Sequence, residues 1–487
     1  MREAVIEADW VLACESDRPH LVRNGSVRVV GDRIEEVSDG PLRTSGERIH
    51  ARGQLLLPGF ISGHTHACLG TPSRGIIEMG QPFGPPFAVI ETFTDDEIED
   101  LTAFNVAELI RSGCTTHVEM SATQRQFEAY VRVARRWGVR GYPGPALPWK
   151  NLSEVWFSKS DEPLLNSTAD TLEDQRVFRE YALKVNGAEN GLIRPMVTPQ
   201  ATDNQTPETL RAAVELAREL GNGIHIHLAQ DPWEVARVER CWGKRPVEWL
   251  ESLDVFSVPV FGAHMWCIDL VEDAAILRDS ENFTYAHCPS SLGAGGSNAT
   301  QPWPEMLAAG VNTSIGVDTH SNDYVENIKL AVLDGRARWF HKHEHSEVPM
   351  VMPTPWHAVN AATRDAADGL HRKDLGRIET GAKADLCTID VSGLLVGCGA
   401  APPEPLNNLL YASGLSVRHV MTDGAFQVFD GRLVVEDEDR VVRRAGLLME
   451  RLWQELRDQG WFQNEHTHPP GWPLSWKATT AAAMFPE

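Results

Sequence analysis

The chain has 487 residues, 42% hydrophobic and 23% charged, which is enough to build one large core with a smaller one beside it. Its 45 basic and 68 acidic side chains leave a formal charge of −23, a field that repels phosphate backbones and anionic headgroups, so nucleic acid and membrane surfaces are excluded as partners. The opening residues carry no basic region followed by an apolar run, no stretch reaches membrane-spanning length, and the eight cysteines are scattered without a C-x-x-C pair; reduced thiols and a cytoplasmic location are expected.

Residues 1–56 alternate apolar and polar positions around the turn signals Asn24-Gly25 and Gly31-Asp32, which predicts short antiparallel strands. From 57 to 377 the texture changes to short apolar runs followed by helical patterns. Strands are predicted at 55–64, 114–120, 138–144, 192–199, 222–228, 259–264, 283–288 and 312–317, with helices such as 95–113 and 207–221 between them. Eight such units in a stretch of this length fit a closed parallel barrel, and no G-x-G-x-x-G follows a strand to argue for an open doubly wound sheet. Residues 378–440 return to alternation, with turns at Asp423-Gly424 and Asp430-Gly431. The expected architecture is therefore an α/β chain: a (β/α)8 barrel over 57–377, a small β-sandwich made jointly by 1–56 and 378–440, and an amphipathic helix at 441–463 within a C-terminal segment, 441–487, whose tail wraps a surface or a neighbouring subunit.

The strongest chemical signal is His64-Thr65-His66 directly after LLLPGFISG. On a strand, residues i and i+2 point the same way, so both imidazoles converge at the C-terminal end, where parallel barrels place their active sites. Two neutral imidazoles aimed at one point make half of a divalent-metal site. The same spelling at His466-Thr467-His468 lies in a Pro-rich tail with no strand before it, and His341, His343 and His345 follow a helical pattern among charged residues; both are read as solvent-facing. Three later strand ends deliver one more group each: His227, His264 and Asp318.

In this order, LPGFISGHTH, HIHLAQ, GAH, AHCPSS, GVDTHSN and LGRIETGAKADL resemble the amidohydrolase superfamily, in its cytosine deaminase, chlorohydrolase and S-adenosylhomocysteine deaminase branch, over nearly the whole chain. The resemblance implies that His64, His66, His227 and Asp318 hold a catalytic divalent metal that activates water. It also implies that Asp318 takes the proton and that His264 acts on the attacking oxygen or the polarised substrate atom. His225 could point the same way as His227, but the family motif favours His227. His287 and His320 fall at the barrel mouth in hydrogen-bonding roles. Two-metal relatives bridge their ions with a carboxylated lysine or a glutamate after the fourth strand; RPMVTPQAT offers neither, so one metal per chain is expected, Zn2+ by default with Fe2+ as the alternative.

The branch's deaminases carry H-x-x-E after the fifth strand, and here that position is Gln230. A carboxamide can orient a substrate but cannot shuttle a proton, and neither Asp231 nor Glu234 has the spacing of the missing acid. The expected activity is hydrolysis of a C–N bond in an amide, urea, carbamate or exocyclic amine of a small apolar or aromatic molecule. Chlorohydrolase or heterocycle deaminase chemistry is the alternative, and a non-catalytic scaffold conflicts with the intact ligand set. Substrate contacts are expected from Met79, Phe83, Trp149, Trp266, His287 and Asn322, with Phe87 and Trp156 nearby in sequence. The chain is expected to assemble as a homo-oligomer.

Overall fold

The computed structural model describes residues 3–74, 84–149, 168–291, 301–397, 399 and 404–460. Seven parallel strands form one sheet in the order Arg140–Pro145, Cys114–Ser121, Phe60–Thr65, Thr313–Ile315, Phe283–His287, Val260–His264, Ile224–Leu228. Residues 193–201 link its two edges. Gly141 bridges Ile193 and Leu147 bridges Pro199 on one side, and Val197 bridges Ile224 and Ala201 bridges His227 on the other, all parallel. This curled sheet fits the expected (β/α)8 barrel. The eighth run stays below regular strand geometry because Pro195 and Pro199 have no N–H to give to a ladder.

The run expected as one strand over 55–64 is in fact two. Glu47–Pro58 belongs to a second sheet, and the barrel strand starts at Phe60, after Gly59. That second sheet has eight strands in the order Arg432–Leu433, Ala425–Phe429, Val417–Thr422, Leu386–Asp390, Glu47–Pro58, Glu3–Glu15, Arg18–Val30, Arg33–Ser38. Both chain ends thus pair, as expected, but their hydrogen bonds record a single sheet, and two facing sheets of a sandwich are not seen among the described residues. Its hinge is the antiparallel register of Leu386 with Pro58 and Asp390 with Gln54.

Turn chemistry explains the hairpins. Asp423-Gly424 and Asp430-Gly431 both take positive φ at each residue, which matches the twist of the strands they join. The Gly31-Asp32 turn is also present, but Asn24-Gly25 is not a turn: Asn24 takes φ 51° inside the Arg18–Val30 strand without ending it, and the first hairpin closes at Ser16-Asp17. Helix Asp95–Arg111 starts at a Thr94 cap with a reciprocal Glu97 bond, and Pro207–Leu220 runs from a Thr206 cap to a left-handed Gly221. The predicted C-terminal helix spans Glu438–Asp458. It buries Leu448, Leu452 and Leu456 against Phe87, Ile90, Phe93 and Leu101.

A buried ion cluster rivets the barrel floor to the terminal sheet. The Arg140 guanidinium, fully buried, lies 2.8 Å from Asp385 and 2.5 Å from Asp423, and Lys383 lies 3.1 Å from Asp423. The seven described cysteines are free, and no described helix is long and apolar enough to cross a membrane.

Candidate metal centre

The first and last strands of the barrel meet at the site. Val317 and Asp318 N–H groups donate to the His64 carbonyl at 2.9 and 3.2 Å, and Thr65 bridges Asp318. This approach requires a glycine: a Cβ on Gly316 would stand 2.8 Å from both the His64 Cβ and the Cys288 sulfur. At the strand ends the backbone is bent sharply. Ala229, His264, Met265 and Asp318 all take positive φ (46°, 78°, 54° and 56°), a conformation that costs energy for non-glycine residues and clusters at functional sites.

These bends bring the expected residues together. His64 meets the rings of His66, His227 and His264 edge-on, with centroids 4.7, 4.9 and 5.0 Å away. Asp318 Oδ1 lies 3.5 Å from His66 Nε2 and 3.7 Å from His64 Nε2, and its Oδ2 lies 3.9 Å from the Nε2 atoms of His264 and of His320. Donor atoms of His64, His66 and Asp318 all fall within 4.8 Å of one another, as do those of His64, His227 and His264.

The outer nitrogens are held in place. His66 Nδ1 is 2.6 Å from the Met120 carbonyl and His227 Nδ1 is 2.5 Å from the Gln200 carbonyl. A carbonyl can only accept, so both rings carry their proton on Nδ1 and leave Nε2 unprotonated. His64 Nδ1 lies 2.7 Å from His225 Nε2. Its own Nε2 is buried with no hydrogen-bond partner among the described residues, as are both nitrogens of His264. Burial, reinforced by the neighbouring rings, holds His64 well below the usual histidine range, and burial likewise pulls His227 down to about 4. Burial pushes the Asp318 carboxyl up, but His264, His320, His66 and His227 outweigh it and leave the group below its ordinary value. Neutral imidazoles and an ionised carboxylate around an orphaned Nε2 are the donor set a divalent cation takes, so the residues present fit one.

The remaining expected residues divide. Trp266 is partly buried and packs edge-on to His264 at 5.5 Å. His287 stacks on Trp303, bonds Gln301 Oε1 through Nδ1 at 2.8 Å, and leaves Nε2 buried without a hydrogen-bond partner among the described residues. Trp149 packs on the main core and Phe87 on the C-terminal helix. Asn322 donates its amide to Asn105 at 2.7 Å and Glu108 at 2.9 Å, tying down the Asp95–Arg111 helix. Met79, Phe83, Trp156, His466 and His468 lie outside the described residues. His343 stacks on Trp339 at 3.6 Å, away from the cluster.

Around Gln230, Glu234 accepts from Ala229 N at 2.9 Å, from Gln230 N at 2.6 Å and from the Thr202 hydroxyl, while Asp231 caps the helix Pro232–Trp242. Both acids near the H-x-x-Q motif are therefore engaged in shaping the strand end. Sequence reasoning did not find the roles of Glu234, of His225 against His64, or of Glu119, whose carboxylate accepts from Ser121 Oγ and Ala67 N beneath the His66 turn. The H-x-H spacing of His225 and His227 was the available signal.

With the geometry in view, the comparisons are specific. Residues 55–426 match the amidohydrolase family, and the chain belongs to it. The protein is a hydrolase of the kind that acts on carbon–nitrogen bonds. It is 28% identical to a 5'-deoxyadenosine deaminase of Methanosarcina mazei over 93% of this chain and 99% of that one, and 28% identical to a 5-methylthioadenosine/S-adenosylhomocysteine deaminase of Pelotomaculum thermopropionicum over 80% and 85%. Among solved structures, the fold is similar to that of atrazine chlorohydrolase from Arthrobacter aurescens TC1 complexed with zinc, with TM-score 0.75 and 21% identity over 92% of this chain and all of that one. It is also similar to an adenosine deaminase from Xanthomonas campestris with bound zinc, with TM-score 0.76 and 21% identity over 93% and 99%.

Proposed function

We propose that the chain binds one divalent metal, Zn2+ by preference, through His64, His66, His227 and Asp318, and hydrolyses a C–N bond of a small apolar or aromatic molecule. The observation that carries this is the buried His64 Nε2, without a hydrogen-bond partner among the described residues, at the centre of four converging side chains. When bound, the metal supplies Lewis acidity that makes water a nucleophile at neutral pH. The protein's own residues do the rest. Asp318, kept ionised, takes up a proton at Oδ2 and returns it to the departing nitrogen. His264, neutral and 3.9 Å from that oxygen, hydrogen-bonds the substrate atom on which charge develops. Trp266 supplies an apolar wall beside it, His287 a polar group at the mouth, and Gln230 a carboxamide that orients the substrate without exchanging a proton. One metal suffices because 195–201 contributes no carboxylate or lysine to bridge a second.

Deamination of an aminopurine nucleoside is the second reading, favoured by the names of the 28% identical relatives. Gln230 argues against it, since Glu234 is already bonded to backbone amides and a hydroxyl. Anilides, phenylureas, carbamates, aminoheterocycles and chlorotriazines, assayed in parallel for amine, ammonia and chloride, test the proposal. Amine release supports it; ammonia from nucleosides alone, or chloride alone, replaces it with the corresponding alternative.

A further inference from the structure

Of the three imidazoles in the proposed ligand set, two, His66 and His227, are aimed by backbone carbonyls that no substitution of a side chain removes. His64 differs. Its Nδ1 faces a side chain, the Nε2 of His225, at 2.7 Å, and the two rings stand at 79° to each other with centroids 4.8 Å apart. His225 is fully buried, and its other nitrogen, Nδ1, has no hydrogen-bond partner among the described residues. A buried imidazole satisfied on one side only is poor packing material, since an apolar ring of the same size would leave nothing unpaired. Its one hydrogen bond among the described residues is to His64.

We infer that His225 is a positioning residue: its Nε2 accepts the His64 Nδ1 proton, which fixes the His64 tautomer and aims His64 Nε2 at the metal. The inference rests on His64 being a ligand. His225 Nε2 must then be the acceptor, so His225 is neutral with its proton on Nδ1, and it is not itself a ligand although it stands two residues before His227 on the same strand. The ligand set thus has one position, His64, whose orientation depends on a replaceable group.

The test compares wild type with His225→Phe, which keeps the ring and removes the acceptor, and His225→Gln, whose side-chain oxygen reaches toward the place of Nε2. Zinc affinity is read by competition with a chelator and elemental analysis, independently of turnover. His225→Phe is expected to bind zinc about 10–100-fold more weakly, the usual cost of losing an outer-shell partner, and His225→Gln to recover most of the loss. The cobalt-substituted proteins should show an altered visible spectrum in His225→Phe that returns toward wild type in His225→Gln. Zinc affinity in His225→Phe equal to that of wild type overturns the inference. If that variant does not fold, 15N-histidine NMR of the zinc-loaded wild type decides: a protonated His64 Nδ1 supports it and the opposite tautomer refutes it. His64→Ala separates the two readings. Metal retained there removes His64 from the ligand set, whereas metal lost there but held normally by His225→Phe refutes only the positioning role.

Discussion

His264 and Asp318 leave neighbouring parts of the barrel mouth in the same unusual way. Both are non-glycine residues with left-handed backbones, and their side chains end with Nε2 and Oδ2 3.9 Å apart. Strain of this kind persists only where surrounding structure enforces it. Here the enforcement is visible: the His64 carbonyl takes the Val317 and Asp318 amides, and Met265 N–H donates to the Leu228 carbonyl.

If these side chains form the centre, His64→Ala and Asp318→Asn lose bound metal and activity together. His343→Ala leaves both unchanged, because that ring stacks on Trp339 in a helix outside the cluster. Metal content and turnover measured on the three purified variants check this; equal losses in all three would contradict the strand-end placement.

Gln230→Glu is expected to keep its metal and lose native activity, since a carboxylate repels negative charge developing at the centre and lacks the amide donor. Gln230→Ala should lower kcat/KM by about tenfold through lost orientation. A rise in nucleoside deamination in Gln230→Glu would instead identify position 230 as the switch between the two chemistries.

Glu119 gives a pH signature. Burial pushes its carboxyl from 4.5 up to about 8, so the folded state binds its proton more tightly than the unfolded chain does. The stability this provides is complete below about pH 4.5 and is lost as pH rises towards and through about 8. Relative to Glu119→Gln, the wild-type Tm should fall across that window, by on the order of several degrees. Melting curves of both proteins across the range test it, and parallel curves would rule it out.

Arg140→Met removes one of two cations from a buried cluster, leaving Asp385 without its guanidinium and Asp423 with Lys383 alone. The expected loss is about 3–5 kcal/mol, the usual cost of breaking a buried pair from one side. Denaturant unfolding measures it. The combined variant Arg140→Met, Asp385→Leu, Asp423→Asn should recover part of the loss, because it leaves fewer stranded charges.

The candidate metal centre was legible because the residues proposed as its ligands sit at strand ends, and the apolar runs before them mark where strands stop. His64, His66, His227, His264 and Asp318 converge as that pattern requires. The break at Gly59 carries a signal, the Pro58-Gly59 dipeptide that marks a turn, but the apolar residues on both sides read as one run, and which sheet receives each half is decided by tertiary pairing. The fourth barrel run was found by hydrophobicity, but its prolines reduce it to separate bridges. The bonds of Asn322 to Asn105 and Glu108 were not legible either, because a short polar side chain after a ligand motif reads the same whatever it faces. Glu234 and Arg140 act through contacts that depend on tertiary packing, with Arg140 reaching Asp385 across 245 positions of sequence.

The pairing of Glu47–Pro58 with Leu386–Asp390 also sets an order of assembly. The first four strands leave the ribosome long before the partner that completes their sheet, with more than 300 residues of barrel to be made in between. Until then the Glu47–Pro58 strand has an open edge and the apolar face carrying Leu55 and Leu57 lacks part of its cover. Chains halted before residue 386 should therefore depend on holding factors or aggregate. A permuted gene that places the last strands directly before the first would shorten that wait, and the gain would show as higher yield of folded protein at an unchanged final melting temperature.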